Sequence, residues 1–395
     1  MAGTAKLAED TPCCDSGSVL KWWFNPGVFF RTPNRSLKNN TPAVVVGSGA
    51  HCGDGTTAFV RASTKKLLYF SYRNCFSPLP NGCTTDTRWG CLVRTTQMLI
   101  GAALLRYHSD GAYVLPEEGN VALKATVSRL FMDVPTAPLG IHRVEAEAHK
   151  NNVKYASMLA PTEAGTAMAA ALAAYHADGG DVPYTFSCED RNIDEPAVLA
   201  KLAAGQRVLL VIPVVLGITP MSDKYETMLL KILDMTACCG AAGGYKEASF
   251  YMFGHQGRNV FFLDPHFVQS AYKSEKTAGH LGGARGDLIA RRFDPCMVLG
   301  FYLHTPEDYR IFAEELAVVN AIVVFPLISV TRQKKEESSP SDCPAATAAA
   351  AAEVPTTPPP HDSDVRQGHV PNPLVAATGA AHVEGSQSSA PPHSQ

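Results

Sequence analysis

Asp86-Thr87-Arg88-Trp89-Gly90-Cys91-Leu92 opens a run whose apolar residues recur at helical spacing. Leu92, Val93, Met98, Leu99, Ala102, Ala103 and Leu105 predict a helix over Trp89–Arg106. Cys91 then lies at the helix start, where unpaired N–H groups favour a thiolate over a thiol. Gly90, just before it, is expected to leave room for a substrate backbone. Most free cysteines are small buried apolar residues, and that reading stands beside the chemical one.

The second stretch is Asn259-Val260-Phe261-Phe262-Leu263-Asp264-Pro265-His266. In extended chain, residues i and i+2 point to one side, so Asp264 and His266 face together and Pro265 faces away. A carboxylate on one ring nitrogen holds the tautomer and leaves the other free as a base. Pro265 removes a ladder donor, which suits a strand end or edge. Asp-Pro is also a common turn opener, so a plain turn remains the alternative.

Around these stretches the pattern alternates. Ala43–Val46, Arg207–Leu216 and Met297–His304 read as strands, and Ser249–Gly254 with Asn259–Leu263 as a hairpin. Ala164–Tyr175, Pro196–Ala204 and Asp223–Asp234 read as helices. Thr305-Pro306-Glu307-Asp308 opens another, with a Thr N-cap, Pro at the first helical position and acids in the first turn. Gly243-Gly244 reads as a flexible loop, Asp294-Pro295-Cys296 as a turn, and Ala321–Val330 as a closing core strand. The late strands neighbour one another, which predicts an α+β fold with a largely antiparallel sheet; α/β is the alternative. Val44-Val45-Val46-Gly47-Ser48-Gly49 looks like a strand entering a glycine loop. Position 52 is Cys52 where a dinucleotide fingerprint needs glycine, so nucleotide binding is not expected. His51 and Cys52 have no second pair at metal-ligand spacing.

The 395 residues divide into an N-terminal arm (1–40), a folded domain (41–330) and a low-complexity tail (331–395). The arm carries Trp22-Trp23-Phe24 and Phe29-Phe30. The tail has no aromatic residue and holds ten of the chain's 28 prolines, so it cannot bury enough apolar surface to offset its chain entropy and is expected to be disordered. With 34 Lys+Arg against 37 Asp+Glu, electrostatic nucleic-acid binding is not expected. Eleven cysteines without C-x-x-C spacing give neither a disulfide framework nor a zinc ribbon. Free thiols imply a reducing compartment, cytosolic or nuclear. Met1–Pro12 is polar, so no secretory leader is expected there. Val208–Ile218, the longest apolar run, is too short to span a bilayer and predicts a buried strand.

In this setting the chain resembles the autophagins, the autophagy cysteine proteases. Phe70-Ser71-Tyr72-Arg73 is similar to that family's F-[ST]-Y-R. Asp86–Met98 resembles its nucleophile segment, and Arg207–Gly217 its apolar strand. Gly243-Gly244, Tyr251, Gly254 and Leu263-Asp264-Pro265-His266-Phe267-Val268-Gln269 resemble G-G-K-P…Y-F-x-G…L-D-P-H-T-T-Q, and Asp294-Pro295 with Gly300-Phe301 resembles D-P-S…G-F-F. The order and rough spacing agree from about 66 to 330. The departures are Arg88 in place of glycine, Thr96 in place of glycine, Tyr245 within Gly-Gly-Lys-Pro, and no tryptophan near Met158, where a lid would fall.

The resemblance implies a papain-like fold with Cys91 as nucleophile, His266 as general base and then acid, and Asp264 as the group that orients it. It also implies that the Cys91 N–H and the Tyr72 hydroxyl hold the oxyanion, and that Trp89 forms a wall admitting only glycine. For Tyr72 and Trp89 a purely structural place in the core stays open. The implied substrate is the ubiquitin-like autophagy modifier, cut after its C-terminal glycine both as precursor and as phosphatidylethanolamine conjugate. The enzyme would reach autophagic membranes through that substrate, work in the cytoplasm and need no metal or organic cofactor. The alternatives are a non-catalytic modifier-binding protein on the same fold and a general deubiquitinase-like peptidase. Phe325-Pro326-Leu327-Ile328 fits the aromatic-x-x-aliphatic docking pattern literally, but its apolar, acid-free setting reads better as core.

Overall fold

The computed structural model describes residues 37–109, 117–245, 248–274 and 284–332. The aromatic arm and nearly all of the tail lie outside the described residues. In chain order the elements are β1 (Ala43–Val45), β2 (Gly49–His51), α1 (Thr56–Lys66), β3 (Arg73–Asn74), α2 (Cys91–Tyr107), α3 (Glu117–Arg129), α4 (Ile141–Lys150) and α5 (Pro161–Ala177). Then come β4 (Tyr184–Ser187), β5 (Asn192–Asp194), α6 (Glu195–Ala203), β6 (Val208–Val215), α7 (Asp223–Asp234), β7 (Cys238–Tyr245), β8 (Ala248–Gln256) and β9 (Asn259–Asp264). The chain continues through β10 (Gln269–Ser270), β11 (Ala284–Ile289), β12 (Cys296–Leu303), α8 (Pro306–Asn320) and β13 (Ser329–Thr331).

The main sheet runs β11-β9-β8-β7-β12-β6-β4, with the β1–β2 hairpin added beside β8. Every pairing along it is antiparallel except β4 with β6. Val208–Val214 of β6 is buried throughout, as a continuous apolar strand covered on both faces must be. Side chains of β12 alternate between the faces. Gly300 lies against Leu99 of α2, while the Phe301 ring packs on Phe312 of α8 with centroids 5.0 Å apart. Thus α2 and α5 cover one face, and α8 with α7 beside it covers the other. Helix α2 is buried from Cys91 to Arg106, because it is apolar nearly all round and sits at the centre. This is the α+β, papain-like arrangement, with a cysteine-bearing helix end packed on an antiparallel sheet. No described helix is long and apolar enough to cross a membrane.

Most of the expected elements form within a residue or two of their expected ends, and α7 matches its expected span. Helix α8 opens as expected: Thr305 Oγ1 accepts the Asp308 N–H at 3.2 Å, and Asp308 Oδ2 accepts the Thr305 N–H at 2.9 Å. Three readings are corrected. Gly243-Gly244 is not a flexible loop but the end of β7. A Cβ at Gly243 would sit 2.7 Å from Met297 Cβ, so this glycine lets β12 approach. Ala321–Val330 is not a strand: only Ser329–Thr331 is extended, paired in parallel with β5, and the residues before it form turns and bends. Their backbone groups are met partly by Asn320, which accepts the Leu327 N–H at 2.9 Å and donates to the Ile328 carbonyl at 2.8 Å. Gly47 and Gly49, with φ of 66° and 79°, turn the β1–β2 hairpin, which accounts for the glycine loop without a phosphate.

Candidate active site

Asp264 ends β9, and its Oδ1 accepts both the Nδ1–H of His266 at 2.6 Å and the His266 backbone N–H at 3.0 Å. The two readings of Asp-Pro-His are both realised. The aspartate caps a turn, and the same turn sets the imidazole. With Nδ1 committed to Asp264, the other edge of the ring is hydrogen-bonded to Cys91. Both Asp264 and His266 are buried.

Burial by itself would push the Cys91 thiol up, but the hydrogen bond and charge of His266 outweigh it and bring the thiol below its ordinary value. Burial would also lower His266. The bonds to Asp264 and Cys91 overcome that and raise the imidazole to about 9. The two shifts favour a thiolate–imidazolium pair near neutral pH. The helix end adds to this, because α2 has no side-chain cap and no acidic residue in its first turn.

Tyr72 arrives through backbone pairing. Its N–H donates to the Pro265 carbonyl at 2.9 Å, its carbonyl accepts the Gln269 N–H at 2.9 Å, and β3 runs parallel to β10. Nearby, the Tyr69 hydroxyl donates to the Asp264 carbonyl at 2.8 Å. The Tyr72 ring meets the His266 ring edge-on, with centroids 5.3 Å apart. Burial, followed by the neighbouring Cys91, drives its pKa far up, and its hydroxyl bonds to Cys91. Tyr72 is therefore both a core aromatic and a neutral donor beside the sulphur. Trp89 is half-buried and spends its indole N–H on the Thr85 carbonyl at 2.9 Å. It offers the site only its ring.

The turn before Cys91 hangs on groups that the sequence reading did not single out. The Asp86 carbonyl accepts the N–H groups of Trp89 and Gly90 at 3.2 and 2.8 Å. Its carboxylate accepts the Arg73 N–H and Arg94 Nε, each at 2.5 Å. Arg94 reaches on to Asp133 at 2.8 Å, with all three side chains buried. Asp133 in turn accepts the Tyr272 N–H at 2.7 Å. The available signal was Arg94, a charge in the first turn of a helix that is otherwise largely apolar. Gly90 needs correction too. A Cβ there would lie 2.6 Å from Asp86 Cβ, so the glycine makes room for Asp86 and not for substrate. Arg88 adopts φ 82°, the left-handed region that favours glycine, and glycine is what the resemblance expects there.

Ser249 was also missed. Its backbone N–H lies within hydrogen-bonding reach of the Cys91 sulphur. Met158, where a lid would fall, is half exposed. Of the eight described cysteines seven are free, as expected, and Cys75 is disulfide-bonded. Among the described residues no cluster of His, Cys, Asp or Glu could hold a metal ion.

Replacing Arg94 with methionine strands two buried carboxylates and should cost about 3–5 kcal/mol of stability, read by urea denaturation. At position 88, Arg88→Gly should be more stable than Arg88→Ala by about 1 kcal/mol, the reverse of the usual order, because only glycine takes the left-handed backbone freely. Equal stabilities would show that the turn relaxes.

With this geometry in view, comparison with known proteins finds a match to the peptidase C54 catalytic domain over residues 57–315. The chain is 33% identical over 201 residues to the probable cysteine protease ATG4 of Pichia angusta, covering 50% of this chain and 40% of that protein. It is 25% identical over 259 residues to cysteine protease ATG4 of Saccharomyces cerevisiae, covering 64% and 51%. It is 31% identical over 219 residues to cysteine protease atg-4.2 of Caenorhabditis elegans, covering 50% and 42%. The chain thus spans about half the length of these relatives. The matched span includes Cys91, Asp264 and His266, and on that match the chain belongs to the peptidase C54 family.

Proposed function

We propose that this chain is a cysteine protease that cuts the amide bond after the C-terminal glycine of the ubiquitin-like autophagy modifier. The observation that carries the reading is the coupling of Cys91 to an Asp264-oriented His266, with the thiol lowered and the imidazole raised. In this mechanism the Cys91 thiolate attacks the glycine carbonyl. The Cys91 N–H and the Tyr72 hydroxyl receive the oxyanion, and His266 gives its proton to the leaving amine. Water, deprotonated by the now neutral His266, then cleaves the thioester. The Trp89 ring narrows the cleft to glycine.

The substrate assignment rests on the resemblance and on relatives named as ATG4 cysteine proteases. Precursor and phosphatidylethanolamine conjugate present amides on the same glycine, so one site serves both, and the conjugate brings the enzyme to the membrane. The folded part of the modifier has a surface to rest on. Strand register pairs Val215 with Cys296, one residue along from the Met297–Gly243 pair. Val215 and the Ile218 that follows are 48% and 81% exposed. The free thiols suit a cytoplasmic site of action.

The test is incubation with modifier precursor. Cys91→Ala should abolish cleavage while leaving the fold intact, and cleavage above a few per cent of wild type would remove Cys91 as nucleophile. Ubiquitin fusions should stay uncut; their cleavage would favour a general deubiquitinase-like peptidase, and failure of Cys91 to react with a thiol probe would favour a non-catalytic binder. The profile of kcat/KM against pH should be bell-shaped. Its acid limb should lie below the ordinary thiol range, and its alkaline limb near 9, where His266 loses its proton. Asp264→Asn should move the alkaline limb to lower pH, since the carboxylate is what holds the proton on the ring. Tyr72→Phe should lower kcat by about 10²–10³ with KM nearly unchanged, because the hydroxyl acts on charge that develops in the transition state.

A further inference from the structure

We propose that Thr95 and Ser249 form a positioning pair whose hydroxyl–hydroxyl bond clamps α2 to β8 and so keeps the Ser249 backbone N–H at the Cys91 sulphur as a donor in addition to His266 and Tyr72. The inference rests on the reading of Cys91 as the nucleophile.

Thr95 stands four residues after Cys91, one helical turn along the same face. Its Oγ1 lies 2.8 Å from Ser249 Oγ, and both residues are buried. Two further acceptors are in reach: the Leu92 carbonyl at 3.1 Å from Thr95 and the Gly243 carbonyl at 3.3 Å from Ser249. Each hydroxyl has one hydrogen. Both hydrogens pointed at backbone carbonyls would leave two lone pairs facing each other at 2.8 Å, a repulsive contact, so one hydroxyl donates to the other and the second is left to donate to its carbonyl. Two buried hydroxyls are costly unless paired, so their placement here is directional in a way apolar packing is not.

The position makes the bond consequential. Ser249 is the second residue of β8 and pairs across the ladder with Gly244. Its backbone N–H is within hydrogen-bonding reach of the sulphur, and His266 follows the neighbouring strand, β9. A thiolate held by a backbone N–H, the Tyr72 hydroxyl, an imidazolium and a helix end is stabilised by four sources, three of which need no proton transfer. Loss of the hydroxyl bond removes this side-chain tie between the first turns of α2 and β8, and a shift of a few tenths of an ångström then weakens the amide contact.

The experiment needs no substrate, so its outcome is independent of whether the modifier is the true target. The rate of Cys91 alkylation by iodoacetamide is followed against pH, by mass spectrometry of the Cys91 peptide, for wild type, Thr95→Val, Ser249→Ala, the double variant and Thr95→Ser. The two hydroxyl deletions should each slow alkylation near pH 6 about tenfold and move its midpoint up by about one unit. The double variant should be no worse than the worse single one, since both remove one bond. Thr95→Ser, which keeps the hydroxyl, should restore the wild-type profile. On any substrate the enzyme cuts, kcat should fall with KM unchanged. Should Thr95→Val fail to fold, Ser249→Ala and Thr95→Ser carry the test. Folded deletions with the wild-type alkylation profile, or effects that simply add, would overturn the pair and leave it a packing feature.

Discussion

The guanidinium of Arg94 is the interaction on which the site depends. It lies inside the molecule between Asp86 and Asp133, and each carboxylate has a second task. Asp86 holds the turn before Cys91 through its carbonyl and receives the Arg73 N–H at the start of β3, next to Tyr72. Asp133 receives the Tyr272 N–H just after β10, in the segment that follows His266. The turn before Cys91, the strand next to Tyr72 and the chain leaving His266 are therefore tied to one buried cation. Such a network is a weak source of net stability, because desolvating three charges offsets much of their attraction. Its value is positional. A charge in low dielectric tolerates little displacement of its partners, and the cleft inherits that rigidity.

The electrostatics of the cleft follow from the same economy of space. Cys91, His266, Asp264 and Tyr72 are all buried. Burial alone would keep the thiol protonated and the imidazole neutral. Specific hydrogen bonds reverse both tendencies, while Tyr72 follows its burial and remains a neutral donor. The arrangement separates charge between sulphur and imidazole while leaving the hydroxyl able to donate.

Two features of the sequence take on physical meaning in three dimensions. Arg88 occupies a left-handed backbone position, so the turn is kept at some conformational cost with a charged side chain at its surface. Phe325-Pro326-Leu327-Ile328 matches a docking pattern in sequence, yet Phe325 is 83% exposed and Ile328 fully buried. A ligand cannot engage both ends at once, so the match is one of spelling.

By itself the sequence determined the local pieces. Helical spacing after Trp89, strand alternation before Asp264 and the cap at Thr305 each arise from interactions within a few residues. So does the approach of Asp264 to His266, which needs only the i, i+2 geometry of extended chain. What it did not reveal were contacts between distant segments. Helices α1, α3 and α4 are poor in large apolar residues; α4 does carry a stripe, but its buried apolar side chains are only Ile141, Val144 and Ala148. Gly243-Gly244 looked like a loop because glycine's freedom is visible in sequence, while the close approach of Met297 that demands it is not. Ser249, Asp133 and Tyr272 lie about 160, 40 and 180 residues from the turn before Cys91. Only the packed fold brings Ser249 to Thr95 and joins Tyr272 through Asp133 to Arg94, because buried polar groups must find partners within the protein.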